Sequence, residues 1–93
     1  MGFTQESAVE RAKQDLSERL NVDESEISEG PVSKVDFPDM SLGAPASGEM
    51  SAQMISTGWK ISLKAQGKDY EYRADKYQLR LKDFDGGNHV IVS

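Results

Sequence analysis

Three carboxylates, Asp36, Asp39 and Glu49, lie in or beside one loop-like stretch, Phe37–Gln53. Carboxylates brought together in this way serve general acid–base catalysis or hold a hard cation. Asp beside Pro is more commonly a turn or capping residue, however, and no metal-ligand spacing is present. Asp83-Phe84-Asp85-Gly86-Gly87-Asn88 resembles the start of a calcium loop but lacks its glycine position and distal bidentate Glu. A hairpin turn is the better reading. Ser41, Ser47, Ser51 and Ser56 cluster in the same region, but without a Gly-x-Ser-x-Gly elbow. The only histidine, His89, reads as a surface strand residue. Gly43, Gly48 and Gly58 form neither a dinucleotide-binding nor a Walker pattern. The sequence therefore assigns no catalytic residue, no metal ligand and no cofactor.

The elements around that loop are easier to read. Thr4 suits a helix N-cap, and Ala8/Val9, Ala12, Leu16 and Leu20 recur at helical spacing. Asn21 is a natural left-handed stop, so a helix is expected over residues 5–20. A polar turn follows at residues 23–26. A first extended segment then runs from Ile27 to Phe37, with Val32, Val35 and Phe37 as its buried residues and Pro31 marking an edge or irregularity.

From Gly58 the period changes to two: Trp59, Ile61, Leu63 and Ala65 alternate with Lys60, Ser62, Lys64 and Gln66. A turn at Gly67-Lys68 would set Leu63 opposite Tyr72 and Ala65 opposite Tyr70. A turn at Asp75-Lys76 would set Tyr72 opposite Leu79. A final turn at Asp85-Gly86 would bring Leu81 to Val90 and Leu79 to Val92. The expected fold is α+β, one domain over residues 1–93. An N-terminal helix packs on an antiparallel meander of four to five strands, in a cystatin-like arrangement.

Composition narrows the function classes. The net charge is −5 and the chain has no cysteine, so disulfides and thiol chemistry are absent. Acidity argues against nucleic-acid binding, which rests on phosphate neutralisation. No apolar run reaches the ~18 residues of a membrane span, and no signal peptide is visible. The expectation is a cytoplasmic protein with no membrane or nucleic-acid partner. Lys60, Lys64, Arg73, Arg80 and Lys82 fall on the outer sheet face and read as a solvated, salt-bridged surface.

Phe37-Pro38-Asp39-Met40-Ser41-Leu42-Gly43-Ala44-Pro45, Gly48-Glu49-Met50-Ser51, Gly58-Trp59-Lys60-Ile61-Ser62-Leu63 and Tyr70-Glu71-Tyr72-Arg73 carry a resemblance. They are similar to small uncharacterised prokaryotic domains with a Trp-x-Asp-x-x-Leu-Gly loop, a Pro-x-x-Gly step, a Gly-aromatic-x-aliphatic strand and a Tyr-x-Tyr-Arg/His strand. Arg19-Leu20-Asn21-Val22 fits the end of their helix. The resemblance covers about residues 8–81. Phe37 stands where tryptophan is usual. Many of those domains are exported and carry loop cysteines, where this chain has Ser41 and Ser51. The resemblance implies that packing and hydrogen bonds hold the loop here, and it implies no activity.

The functional expectation is a non-enzymatic binding or regulatory module that presents loop 38–53 to another protein. Asp39, Met40, Leu42, Gly43, Pro45, Gly48 and Met50 are its candidate contact residues, and proteinase inhibition is one specific version. Leu42 is expected to plug the loop onto the core. Two alternatives come from other classes. One is a small hydrolase or ligand-binding enzyme using Asp36, Asp39 or Glu49. The other is a self-associating structural domain, a monomer or weak homodimer pairing through a sheet edge.

Overall fold

Thr4 begins the helix by a reciprocal cap. In the computed structural model, which describes residues 2–93, the Thr4 hydroxyl accepts the Ser7 N–H at 3.1 Å. The Ser7 hydroxyl in turn accepts the Thr4 N–H at 2.9 Å. Two N–H groups that a helix start leaves open are thereby satisfied. The helix, α1, runs Gln5–Leu20 and stops at Asn21, whose left-handed backbone (φ 56°) returns its N–H to the Ser17 carbonyl. A single 3-10 turn, Glu24–Glu26, leads into the sheet.

Five strands follow: β1 (Ser28–Phe37), β2 (Ser56–Ala65), β3 (Lys68–Asp75), β4 (Leu79–Phe84) and β5 (Gly87–Val92). They form one antiparallel sheet in sequence order, and the fold is α+β. Ala8, Ala12 and Leu16 of α1 pack on the inner face, against Ile61, Leu63, Tyr72, Ala74, Leu79 and Leu81. Trp59 and Tyr70 flank this core, partly buried. Removing each large side chain from water contributes roughly 1.5–3 kcal/mol. The polar group that α1 brings into the core is paired: the Tyr72 hydroxyl donates to Asp15 at 2.8 Å, and Arg19 Nε donates to the same carboxylate at 2.7 Å. Burial pushes the Tyr72 phenol far up, and accepting partner Asp15 adds to the shift.

Gly58 explains itself by close approach. A Cβ there would lie 2.0 Å from the Ala74 carbonyl oxygen, so no other residue fits without moving β3.

Three turns test the expected registers. The β2–β3 turn is Gln66-Gly67, not Gly67-Lys68. Both residues are left-handed (φ 54° and 76°), and Leu63 faces Tyr70 while Ile61 faces Tyr72. A turn with positive φ at both central residues takes glycine in the second place, which displaces the register by two. The β3–β4 turn is likewise Lys76-Tyr77, because the Asp75 carboxylate closes it by accepting the Tyr77 and Gln78 N–H groups at 2.7 and 3.0 Å. Tyr72 consequently faces Leu81 rather than Leu79. The last turn is Asp85-Gly86 as expected (φ 50° and 79°), and Leu79 meets Val92. Leu81 meets His89 instead of Val90, because a bulge at left-handed Asp83 (φ 53°) adds a residue to β4.

Both sheet edges are irregular. β1 carries an extra residue at Gly30-Pro31, between the Glu29–Leu63 and Val32–Ile61 pairs. In β5, Ile91 is extra, between Val90 and Val92. Bulges of this kind twist an edge away from further pairing.

Candidate functional site

The stretch between β1 and β2 folds back over the outer face of the sheet as a third layer. Asp39 organises its first half. One oxygen, Oδ1, accepts the Ser41 N–H (2.9 Å), the Ser41 hydroxyl (2.6 Å) and the Gly43 N–H (3.0 Å). These bonds, the Ser41 hydroxyl first, hold the Asp39 carboxyl below its usual range. Backbone turns from Leu42 to Asp39 and from Ala44 to Ser41 tighten the same segment. Leu42 and Gly43 are both left-handed, at φ 59° and 66°. A Cβ on Gly43 would meet the Arg73 guanidinium at 2.7 Å, so glycine answers both the conformation and the contact.

A loop leaves carbonyls that no ladder satisfies, and the outer face supplies their donors. Gln78 Nε2 donates to the Met40 carbonyl at 2.7 Å, and Arg73 Nη1 to that of Leu42 at 2.8 Å. Arg80 Nη1 donates to the Ala44 carbonyl at 3.2 Å, and Asn88 Nδ2 to that of Pro45 at 2.9 Å. Each donor stands on β4, β3 or β5, or at the turn leading into β4. Beneath the loop, Phe37, Leu42 and Ala44 are buried, and the Arg73 guanidinium lies 5.5 Å from the centre of the Phe37 ring.

Glu49 latches the second half. Its two oxygens meet the two terminal nitrogens of Arg80, with Nη2–Oε2 at 2.7 Å. Oε1 also accepts the Ala46 N–H at 3.0 Å. The Arg80 hydrogen bonds, with the Ala46 bond second, pull the Glu49 carboxyl from 4.5 to about 2. Arg80, expected on a solvated surface, is instead 4% exposed. It lies under the loop that the sequence left unplaced, and Arg73 is half-buried beside it.

The candidate residues divide accordingly. Leu42 is the plug, fully buried, and Asp39 and Gly43 face into the loop's own turns. Pro45 and Gly48 lie on the outer surface, with Gly48 left-handed at φ 78°. Met40 is one-third exposed, and Met50 is 95% exposed. Two further apolar residues, Met54 and Ile55, are 63% and 74% exposed where the loop runs into β2. Tyr77, at the β3–β4 turn, is 71% exposed. The Ser56 hydroxyl donates to Asp75 at 2.7 Å. With the Gln78–Met40 bond, this sets Met40, Ile55 and Tyr77 around one end of the sheet.

The clamp residues Arg73, Gln78, Arg80 and Asn88 were not legible as loop partners. Arg73, Arg80 and Asn88 lie on polar strand positions and Gln78 at the turn before β4, none of which marks a loop partner. The third loop-flanking carboxylate, Asp36, accepts the Thr57 hydroxyl across the β1–β2 pair at 2.7 Å. All three carboxylates named for acid–base chemistry are thus bound up in holding the loop or its flanking strands. For Asp39 and Glu49 the shift is downward, opposite to that of a general acid.

With the loop pattern accounted for, its family can be stated. The chain belongs to the family described as Domain of unknown function (DUF8738), whose model matches residues 9–81. No curated protein and no solved structure matches it. In this DUF8738 domain the matched stretch takes in α1 from Val9, the whole loop, and the sheet as far as Leu81. Phe37, Asp39, Leu42 and Gly43 each have a physical task in fixing the loop, and Arg73 is the donor that ties the strand to it. Packing, hydrogen bonds and an ion pair hold the loop in place. Among the described residues no helix is long and apolar enough to cross a membrane.

Proposed function

We propose that this domain is a non-enzymatic protein-binding module whose contact surface is the outer end of the clamped loop. The observation that carries this reading is the exposure of Met50, Met54 and Ile55, at 95%, 63% and 74%. They follow directly on a segment that is anchored by four side-chain donors and, at Glu49, by a bidentate ion pair. Clustered exposed apolar residues on a small domain mark interaction surfaces. Methionine side chains adapt their shape to a partner at small cost. A clamped base also lowers the ordering entropy that binding must overcome. We take the module to act in the cytoplasm, since its loop is cysteine-free and built from contacts that need no oxidising compartment.

Site-specific photo-crosslinking tests the reading. A benzophenone side chain at position 54 should give a discrete protein adduct in host-cell extract. Excess unlabelled wild-type domain should suppress the adduct, and excess Met50→Ser/Ile55→Asp domain should not. Equal suppression by both competitors would remove the loop as the contact surface.

A further inference from the structure

The loop covers only part of the outer face. The remainder is an open trough of about 790 Å³, the size range of small-molecule sites. Its cause is local. The β3–β4 ladder ends at Glu71–Lys82, and the left-handed bulge at Asp83 carries β4 away from β3. Tyr70 and Phe84 line the opening, with ring centres 6.1 Å apart, and Pro31 of the β1 bulge lines the trough as well.

The charge pattern of this face is unusual. Registers set Lys60 directly opposite Arg73, and Arg73 directly opposite Arg80, so three cations align across β2, β3 and β4. Like charges in register are destabilising unless something neutralises them. Arg73 is met by Glu71 at 2.6 Å, and Arg80 by Glu49. Lys60 has no carboxylate among the described residues. Asp69 pairs with Lys64 at 3.8 Å and Asp83 with Lys82 at 3.1 Å, while Asp85 and Lys68, which also line the trough, offset one another in charge. Ser33 stands directly opposite Lys60 on β1, and Ser62 follows two positions along β2, both lining the same trough. Lys60, Ser33 and Ser62 thus form a donor group on rigid strands, beside an aromatic wall.

We propose that the trough binds a small organic anion, with its acidic group on Lys60, Ser33 and Ser62 and its apolar body along Pro31, Tyr70 and Phe84. The anion supplies the third cation with the counter-charge that Glu71 and Glu49 give the other two. This site is separate from the loop's apolar surface, so it stands or falls independently of the protein-binding reading.

Amide chemical-shift titration at constant ionic strength tests it, with phenyl phosphate, benzoate and neutral benzyl alcohol as probes. Saturable shifts at Lys60, Ser62 and Tyr70 are expected with at least one aryl anion and not with the alcohol, and whichever anion binds tighter identifies the acidic group. Lys60→Gln should weaken anion binding by about tenfold, the effect of losing one charge-assisted contact. The same variant should keep or raise the melting temperature, because it removes one of three aligned cations. No saturable shift below millimolar concentrations with either anion, or equal affinity in Lys60→Gln, would overturn the proposal.

Discussion

The two faces of the sheet are covered by different kinds of layer, and that difference decides their chemistry. The inner face meets α1, whose backbone groups are satisfied within the helix, so the sheet can offer it Ile61, Leu63, Ala74, Leu79 and Leu81. The outer face meets a loop, whose carbonyls at Met40, Leu42, Ala44 and Pro45 have no ladder. There the sheet must offer donors, and it offers Gln78, Arg73, Arg80 and Asn88. A polar sheet face therefore need not be a solvent face. Here it is the complement of an irregular backbone.

Substitutions on the two faces sharpen that contrast. Leu81→Ala, on the inner face, should cost about 2–5 kcal/mol of unfolding free energy in chemical denaturation, as a buried leucine does when cut to a cavity. Arg80→Met, on the outer face, should cost about 2–3 kcal/mol, because it leaves Glu49 and the Ala44 carbonyl without their donor. A cost near zero would mean that the loop is not a structural layer. The two variants should also differ in kind: Arg80→Met should free the amides of residues 40–49 to exchange while α1 keeps its protection.

Acid should separate the faces as well. The Glu49 carboxyl is lowered from 4.5 to about 2, and that of Asp39 is lowered too. A depressed folded-state value gives stability that is complete above the unfolded value and is lost as pH falls through the folded one. The unfolding free energy should therefore be constant above about pH 5 and fall between about pH 4.5 and 2, with the Glu49→Gln variant losing most of that change. The smallest effect is expected at the exposed apolar residues: Met50→Ser/Ile55→Asp should alter stability by under about 0.5 kcal/mol, while abolishing the adduct crosslinked from position 54.

How far the sequence could be read follows the same division. The helix was legible to its ends, because Thr4 and Asn21 are local signals that act on their own neighbours. Inner-face membership was legible for β2, β3 and β4 even though two turns were displaced, whereas in β5 the bulge set Val90 opposite Arg80, on the outer face. Moving the registers by two residues keeps every side chain on its face, whereas a shift of one would have turned the core outward. The turns themselves depended on Gly67 taking the second left-handed place and on the Asp75 side chain closing its own turn.

The loop was legible as a distinctive stretch and Leu42 as its plug. The positions of Arg73 and Arg80 beneath it were not. Those contacts join residues 31 positions apart in sequence, and nothing in an alternating Lys/Arg pattern distinguishes a cation in water from one under a carbonyl. Tyr77 was likewise hidden, because its exposure follows from the displaced turn.

The central claim is that loop 38–53 is a fixed third layer whose outer end alone is free to be recognised. Amide hydrogen exchange on the isolated domain tests it most directly. The Met40, Ser41, Gly43 and Ala44 amides, each with an acceptor inside the layer, should be protected to a degree approaching that of β2, while Met54 and Ile55 exchange at nearly open-chain rates. Open-chain exchange throughout residues 40–55 would contradict the account.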